Sequence, residues 1–540
     1  MSYKYSDRDV VMCKTESIFV KISKYVSYSL ILYGFWICIW TVLTTETGNG
    51  DNVEHIHSTW LVAHGKVPYR DFFQHHNPLI WYIFAPFIKF FPRSILLLDI
   101  AHSIGMIAGI ITFYIVYLIS KRFISSKVAS LVSLIVLCPP HFYIFCFNYN
   151  PDTFMALFLV LGIYYLFDYF DAQKSSELID YYDSPKLSRL SLSFLSFFLS
   201  FMFTQKVLTI LGLLGLISIF VFYQNKTPLS DILYSLLLPV LLLFLYIAYL
   251  YSEDALLIYW KTNYLFNIEM QDYYGLYKIN VANRESIEPS FVLSIISILC
   301  FFIKGNRYFK IISILFIAEI IQRYFYFAIS PYYMLPAMIF SALLSSKLID
   351  WILQKSDTET NEEQCLISKI IDWMLQKRAY LVFIFLAVGV YYASITKSQY
   401  LKARPQNRTF ARFLDSHVTP CDYVLSGFLS SQSVISKDPH YYWALLGHVD
   451  IAAENMGLPK KPNVTEVVLK HLPKFMYGGI YFNNYAKNRN QMIPVQQVDP
   501  EVIRTYYINT PFPDFYILKP EYRGGICRYN KKTKDWEYDK

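Results

Sequence analysis

Long apolar runs broken by short polar or basic turns make up most of the chain. The first run, residues 26–44, is about 19 residues long and follows a basic stretch holding Lys4, Arg8, Lys14, Lys21 and Lys24. It is longer than the apolar core of a cleavable signal, and no small-residue cleavage site follows, so it reads as a retained first span. Further runs are centred near residues 107, 137, 160, 197, 215, 241, 297, 318, 342 and 387, and the pattern predicts eleven membrane-spanning helices.

The turns between these runs carry charge unevenly. One set holds Lys121, Arg122 and Lys127; Lys174, Lys186 and Arg189; Lys226; Lys304, Arg307 and Lys310; and Lys347, Lys355, Lys369, Lys377 and Arg378. In the alternate set, 147–150 has no basic residue, and two turns have a single cation each, Lys206 and Arg323. Basic residues collect on cytoplasmic loops, which places residues 1–25 inside and three longer segments outside: 45–79, 252–289 and the region after 396. Within 397–540, apolar runs at 423–425, 475–480 and 515–518 alternate with helical patterns at 409–416, 465–471 and 501–507. The fold class predicted is an all-α polytopic transmembrane bundle over 26–396, followed by a small extracytoplasmic α/β domain over 397–540.

Composition supports the membrane class. Hydrophobic residues make up 54% of the chain and charged ones 17%, against roughly a quarter charged in soluble domains, and the mean hydropathy is +0.30. The formal charge of +8 is accounted for by topological Lys and Arg, so nucleic acid is not implied as a partner. The eight cysteines form no CxxC pair, which argues against a zinc ribbon. Cys421 and Cys527 fall in the outer domain, where a disulfide is permitted.

The first outer loop is the most unusual stretch for chemistry. Five of the eleven histidines fall there: His55, His57, His64, His75 and His76. Read as a helix from Asp51, it sets Val53, Ile56, Trp60 and Ala63 on one face and Asp51, Glu54, His55 and Ser58 on the other. The expectation is a helix lying on the membrane surface with its titratable groups turned to a cavity. Glu54, His57, His75 and His76 are candidate ligands for a divalent metal, although no HExxH-type spacing fixes one.

Asp51, the run from Gly65 through Pro68-Tyr69-Arg70-Asp71-Phe72, and His75-His76-Asn77-Pro78-Leu79 together resemble the first loop of GT-C glycosyltransferases. That superfamily includes the protein O-mannosyltransferases and the lipid A aminoarabinose transferase. The similarity extends to the turn Asn148-Tyr149-Asn150-Pro151-Asp152 and to the order of spans. It implies a membrane glycosyltransferase with a polyprenyl-phosphate-linked sugar as donor and a glycan, lipid or protein acceptor, working on the outer face of a cytoplasmic membrane. The family's loop acid maps to Asp51. Many members have Asp-Glu there, whereas this chain has Asp51-Asn52, so Glu54 and Asp71 are the candidate second carboxylates. Where some members carry Glu-Lys, this chain has His75-His76.

Displacing a phosphate from an anomeric carbon needs a base for the incoming hydroxyl and positive charge for the leaving phosphate. Lys206, Arg323 and His76 are the candidates for that charge. His55, His75, Asn77 and Asp152 are candidate substrate contacts. A transporter or flippase of lipid-linked glycans is the alternative, but it predicts half-to-half symmetry and ionisable residues deep within spans, whereas no clear half-to-half symmetry is seen and the titratable residues gather at outer span ends.

Overall fold

The computed structural model describes residues 50–91, 94–125, 146, 148–176, 184–268, 289–326, 335–354, 404–426, 433–442, 456–459, 462–478, 497–530, 532–533 and 535–539. Its helical part comprises α1 (Gly50–Ala63), α2 (Leu79–Ile88), α3 (Ser94–Ser120), α4 (Pro151–Ser176), α5 (Ser184–Phe203), α6 (Leu208–Gln224) and α7 (Leu229–Ser252), then α8 (Leu256–Trp260), α9 (Pro289–Phe301), α10 (Arg307–Tyr326) and α11 (Leu335–Gln354). Eight of the eleven predicted span centres fall inside these helices, and those at 35, 137 and 387 lie outside the described residues.

Among the described residues, four helices are long and apolar enough to cross a membrane: Ile95–Ser120, Pro151–Gln173, Gln205–Gln224 and Leu229–Ser252. The chain is a multi-pass membrane protein of mostly helical fold. Helix α2 was not anticipated. It is a ten-residue apolar helix with Pro86 inside it, too short to span a bilayer by itself.

Helix α4 is the centre of the bundle. It packs along α5, where Ser193 Oγ donates to Gly162 O at 2.9 Å and Ser200 Oγ to Met155 O at 2.8 Å. A side chain at Gly162 would run into the Phe197 ring, so only glycine lets the two backbones come this close. Helix α7 is the opposite case: Leu237, Val240 and Phe244 stand exposed along it, as a face meant for lipid requires.

The C-terminal part contains α12 (Arg404–His417), α13 (Val464–His471) and α14 (Pro500–Tyr506), with strands β1 (Val424–Leu425), β2 (Phe475–Tyr477), β3 (Tyr507–Asn509) and β4 (Phe515–Leu518). These strands form a sheet of order β1-β2-β4-β3, with β1 parallel to β2 and the other pairings antiparallel. Successive strand residues face opposite sides. Val424 and Phe475 accordingly join Leu414 of α12, while Leu425 and Met476 join Val467 and Val468 of α13. The second cluster also takes in Phe73 of the first loop and Phe266 of the helical stretch that follows α8, so this face of the sheet rests on the helical part. A hairpin of β5 (Cys527–Asn530) and β6 (Asp535–Tyr538) follows, tied to the sheet's entry by a Cys421–Cys527 disulfide with Cα atoms 5.8 Å apart.

Candidate active site

The loop helix α1 is enclosed rather than lying on a surface with one face free. Val53 and Ile56 are buried, and so are Glu54, His55, His57 and Ser58 on the other side. The reason is a cover that sequence reasoning missed. Segment 433–442 of the C-terminal part lies over the helix, with His57 Nε2 3.0 Å from Asp438 and His57 Nδ1 3.1 Å from Val434 O. Tyr441 OH donates to Tyr69 O at 2.7 Å, and Phe73 N to Tyr441 O at 2.9 Å. Buried hydroxyls inside α1 bond back one turn, Ser58 to Glu54 O and Thr59 to His55 O, and each also meets a group outside the helix: Ser58 Oγ accepts from Gln74 Nε2 at 2.7 Å, and Thr59 Oγ1 lies 3.1 Å from the Tyr149 hydroxyl.

After α1 the chain makes a tight loop. Gly65 sits at φ 83°, and Tyr69 at φ 71°. A left-handed conformation in a buried tyrosine costs on the order of 1–3 kcal/mol and persists where the surroundings hold it. Here the Tyr69 hydroxyl donates to His76 O at 2.7 Å. The next residues are fixed just as closely: His75 O accepts from Gln205 Nε2 at 3.0 Å and from Asn267 Nδ2 at 3.2 Å. Asn77 donates to Phe201 O at 2.6 Å and accepts from Tyr259 OH at 2.9 Å.

This pinning gathers Glu54, His55, His75 and His76. Ligating atoms of Glu54, His75 and His76 lie within 4.8 Å of one another, the His75 and His76 rings are 4.1 Å apart, and the His55 ring is 5.2 Å from that of His76. His55 Nδ1 accepts the Trp81 indole N–H at 3.4 Å. Burial first, then the neighbouring His75 and Lys206 charges, hold His55 and His76 well below the ordinary imidazole pKa, so both are neutral near pH 7.

The other predicted residues divide. Lys206 is 3.3 Å from Asp152, which begins α4 and is 2% exposed, so these two form one unit. Asp71 is in a different set of contacts: it accepts from Val67 N at 2.8 Å and takes Arg70 in two bonds, and Arg70 also reaches Glu253 at 2.7 Å. Burial raises the Asp71 pKa, but the Arg70 and Val67 bonds outweigh that and hold it below the usual carboxylate value. Asp51 is in the first turn of α1, one turn before Glu54, and Arg323 is in the last turn of α10; their side chains lie outside the described residues.

No family model matches the sequence, and no curated protein matches it. Solved structures do. The crystal structure of ArnT from Cupriavidus metallidurans bound to undecaprenyl phosphate superposes with a TM-score of 0.52 at 10% identity, over 87% of this chain and 96% of that one. The chain shares the fold of ArnT. The archaeal oligosaccharyltransferase AglB from Archaeoglobus fulgidus, in complex with an inhibitory peptide and a dolichol-phosphate, gives 0.46 at 12% identity over 84% and 69%.

Gln205 and Asn263 are polar groups at the site that sequence reasoning passed over. Gln205 Nε2 also donates to Asn263 O at 3.1 Å. Its signal was available, since it adjoins Lys206 in an otherwise apolar turn. Asp438 and Tyr441 offered none, because they reach the loop from more than 370 residues away.

Proposed function

We propose that this protein is a membrane glycosyltransferase that moves a sugar from a polyprenyl-phosphate donor to an envelope glycan, lipid or protein acceptor on the extracytoplasmic face. The observation that carries this reading is the closing of the first loop around buried Glu54, His55 and His76 and half-buried His75, beside the Lys206–Asp152 pair, in a fold shared with a protein crystallised with undecaprenyl phosphate. The acceptor oxygen attacks the anomeric carbon, the bond from that carbon to the phosphate breaks, and the configuration inverts. Asp51 takes the acceptor proton, and the lipid phosphate leaves toward the charges of Lys206 and Arg323; His76, expected to add a third charge, is held neutral by burial and serves as a hydrogen-bonding group instead. His55, His75, Asn77 and Asp152 shape the space around the sugar, and Glu54 and Asp71 are the remaining carboxylates of the loop.

The test is transfer in proteoliposomes supplied with polyprenyl-phosphate-linked radiolabelled sugars and an envelope extract as acceptor. Label is expected to move to acceptor with wild-type protein and to stay on the carrier with Asp51→Asn. A carrier that crosses the bilayer with its sugar still attached, with no transfer, would show a flippase instead.

A further inference from the structure

We propose that Gln74, Gln205 and Asn263 form the subsite that recognises hydroxyls of the transferred sugar. The sugar they fit is uncharged, a neutral hexose or pentose rather than an amino sugar or a uronic acid. The inference rests on the glycosyltransferase reading above and narrows it to a donor class. All three amides are tied to the turn 74–77. Gln74 lies within it and is 1% exposed. Gln205 Nε2 donates to His75 O at 3.0 Å and to Asn263 O at 3.1 Å. Asn263 is fully buried at the middle of a π turn, Lys261–Leu265, which the Phe266 N–H closes on Lys261 O. Its amide faces the Tyr69 hydroxyl without bonding to it, and Tyr69 donates instead to His76 O. Single π turns are rare in proteins and are frequently found at functional sites.

The orientation of these amides decides what they can bind. Ser58 Oγ gives its own proton to Glu54 O, so it only accepts from Gln74, and the group 2.7 Å away is therefore Gln74 Nε2. Gln205 Nε2 faces two carbonyls, which fixes it as the nitrogen. Gln74 Oε1 and Gln205 Oε1 are thereby set as acceptors, and both are buried without a hydrogen bond. Both side-chain atoms of Asn263 are buried and unbonded as well. Three acceptor oxygens against one donor nitrogen call for a ligand rich in O–H groups. A phosphate or carboxylate, which only accepts, leaves those oxygens unmatched. An ammonium group, once buried, needs a carboxylate beside it. Among the described residues the acids of the site are already taken: Asp152 by Lys206, Asp71 by Arg70, and Glu54 by contacts within the protein. Hydroxyls on an uncharged ring meet the requirement.

The test supplies the full-length protein with polyprenyl phosphates carrying a panel of neutral hexoses and pentoses. Singly deoxygenated analogues of the sugar bound or transferred best are added, with its amino and uronic acid counterparts. Transfer in proteoliposomes is read as kcat/KM, and binding separately as the rise in melting temperature that each donor produces in detergent. The wild type is expected to favour the neutral sugar over one of its deoxy analogues by about 10–100-fold, because the missing hydroxyl leaves a buried oxygen unmatched. Asn263→Leu should remove most of that preference, by weakening use of the parent sugar and not of the deoxy analogue. The Asn263 side chain makes no hydrogen bond within the protein, so this variant should melt no lower than the wild type. Gln205→Met is the second variant, and its deciding quantity is the ratio between the two sugars, which a merely misplaced turn would not change. Preferred use of an amino sugar or uronic acid, or an unaltered preference in both folded variants, overturns the subsite. Discrimination in binding with no transfer by the wild type supports the subsite and counts against the proposed function, and transfer without discrimination does the reverse. Neither binding nor transfer of any donor overturns both.

Discussion

The two ends of helix α4 hold acids about 28 Å apart along its axis, roughly the thickness of a bilayer core; both ends pair their acids with cations, but the polar groups around them differ. At the far end Arg122 contacts both Asp168, at 3.2 Å, and Asp171. Arg189 reaches Asp168 at 2.9 Å, Arg307 reaches Asp171 at 3.4 Å, and the Tyr308 hydroxyl donates to Asp171. The arginines also lie over rings, Arg122 over Tyr164 and Arg307 over Phe170. Every carboxylate in this knot has a cation, and among the described residues the buried unmatched atoms here are the Nε donors of Arg122 and Arg307, each of which reaches an acid through a terminal nitrogen. It closes α3, α4, α5 and α10 into one rigid end.

The near end is left partly unpaired. Asp152 has Lys206, but around the loop Asn52 Oδ1, Gln74 Oε1, His76 Nδ1, Gln205 Oε1 and both side-chain atoms of Asn263 are buried without a hydrogen bond. Each such atom costs about 1–3 kcal/mol if it stays unmatched. A fold that satisfies its polar groups at one end and leaves them at the other marks the second end as the place where something else binds.

The sharpest break of this comparison is a pair of substitutions. Asp51→Asn at the near end is expected to lower transfer by about 10²–10⁴-fold, the usual cost of losing a general base, with little change in melting temperature. If Asp51→Asn transfers at the normal rate while Glu54→Gln is inactive, the base is Glu54. Lys206→Gln comes next. On the proposed role at the donor phosphate it removes a charge-assisted contact worth about 1.5–3 kcal/mol, equivalent to about 10–100-fold in donor KM. It also strands a buried carboxylate, so the double variant with Asp152→Asn separates the two effects. Melting should recover in the double variant, and donor KM should not. Recovery of both would reduce the pair to a structural ion bridge.

At the far end Arg122→Gln should cost about 1–2 kcal/mol of stability. The value is below that of a fully buried pair because Asp171 is 45% exposed and screened by solvent. Transfer per folded molecule should not change, as read by active-site-normalised rates after detergent melting curves. A lower rate per folded molecule would couple the two ends.

The sequence made one half of this contrast easy to see. Arg122, Arg189 and Arg307 were assigned to one side by charge asymmetry, and all three meet at the far end, because the positive-inside rule acts on local runs of residues. Lys206 stood out for the same reason, as a cation where few occur. What could not be read were contacts between distant turns. The Lys206–Asp152 pair, the strained Tyr69, and the cover of α1 by Asp438 and Tyr441 depend on the packing of separate elements, which periodicity does not encode. The helix at 50–63 was legible from its spacing, but its enclosure was not: an amphipathic pattern specifies one apolar face, and here the polar face is buried by a protein segment from far along the chain.

The smallest effect expected concerns the proton, and it separates the ends again. His64 Nδ1 donates to Trp60 O at 2.8 Å, which leaves Nε2 to accept the Trp536 indole N–H at 3.1 Å. That bond joins the β5–β6 hairpin to the loop, and it requires neutral His64. Burial lowers the His64 pKa from 6.5, the Trp60 carbonyl and Asp535 oppose the shift, and Lys89 and Lys437 add to it. Because the folded-state pKa lies below the unfolded one, the folded state binds fewer protons between the two. This contribution to stability is therefore complete above pH 6.5 and is lost as pH falls toward the folded-state value. The loss is expected to be about 1 kcal/mol, the net worth of one hydrogen bond. It should show as a lower melting temperature and faster proteolysis of the hairpin at acid pH, both absent in His64→Phe. The arginine knot keeps its cations throughout this range, so Arg122→Gln should leave the acid-dependent loss unchanged. An equal acid-dependent loss in His64→Phe would assign the proton to another group.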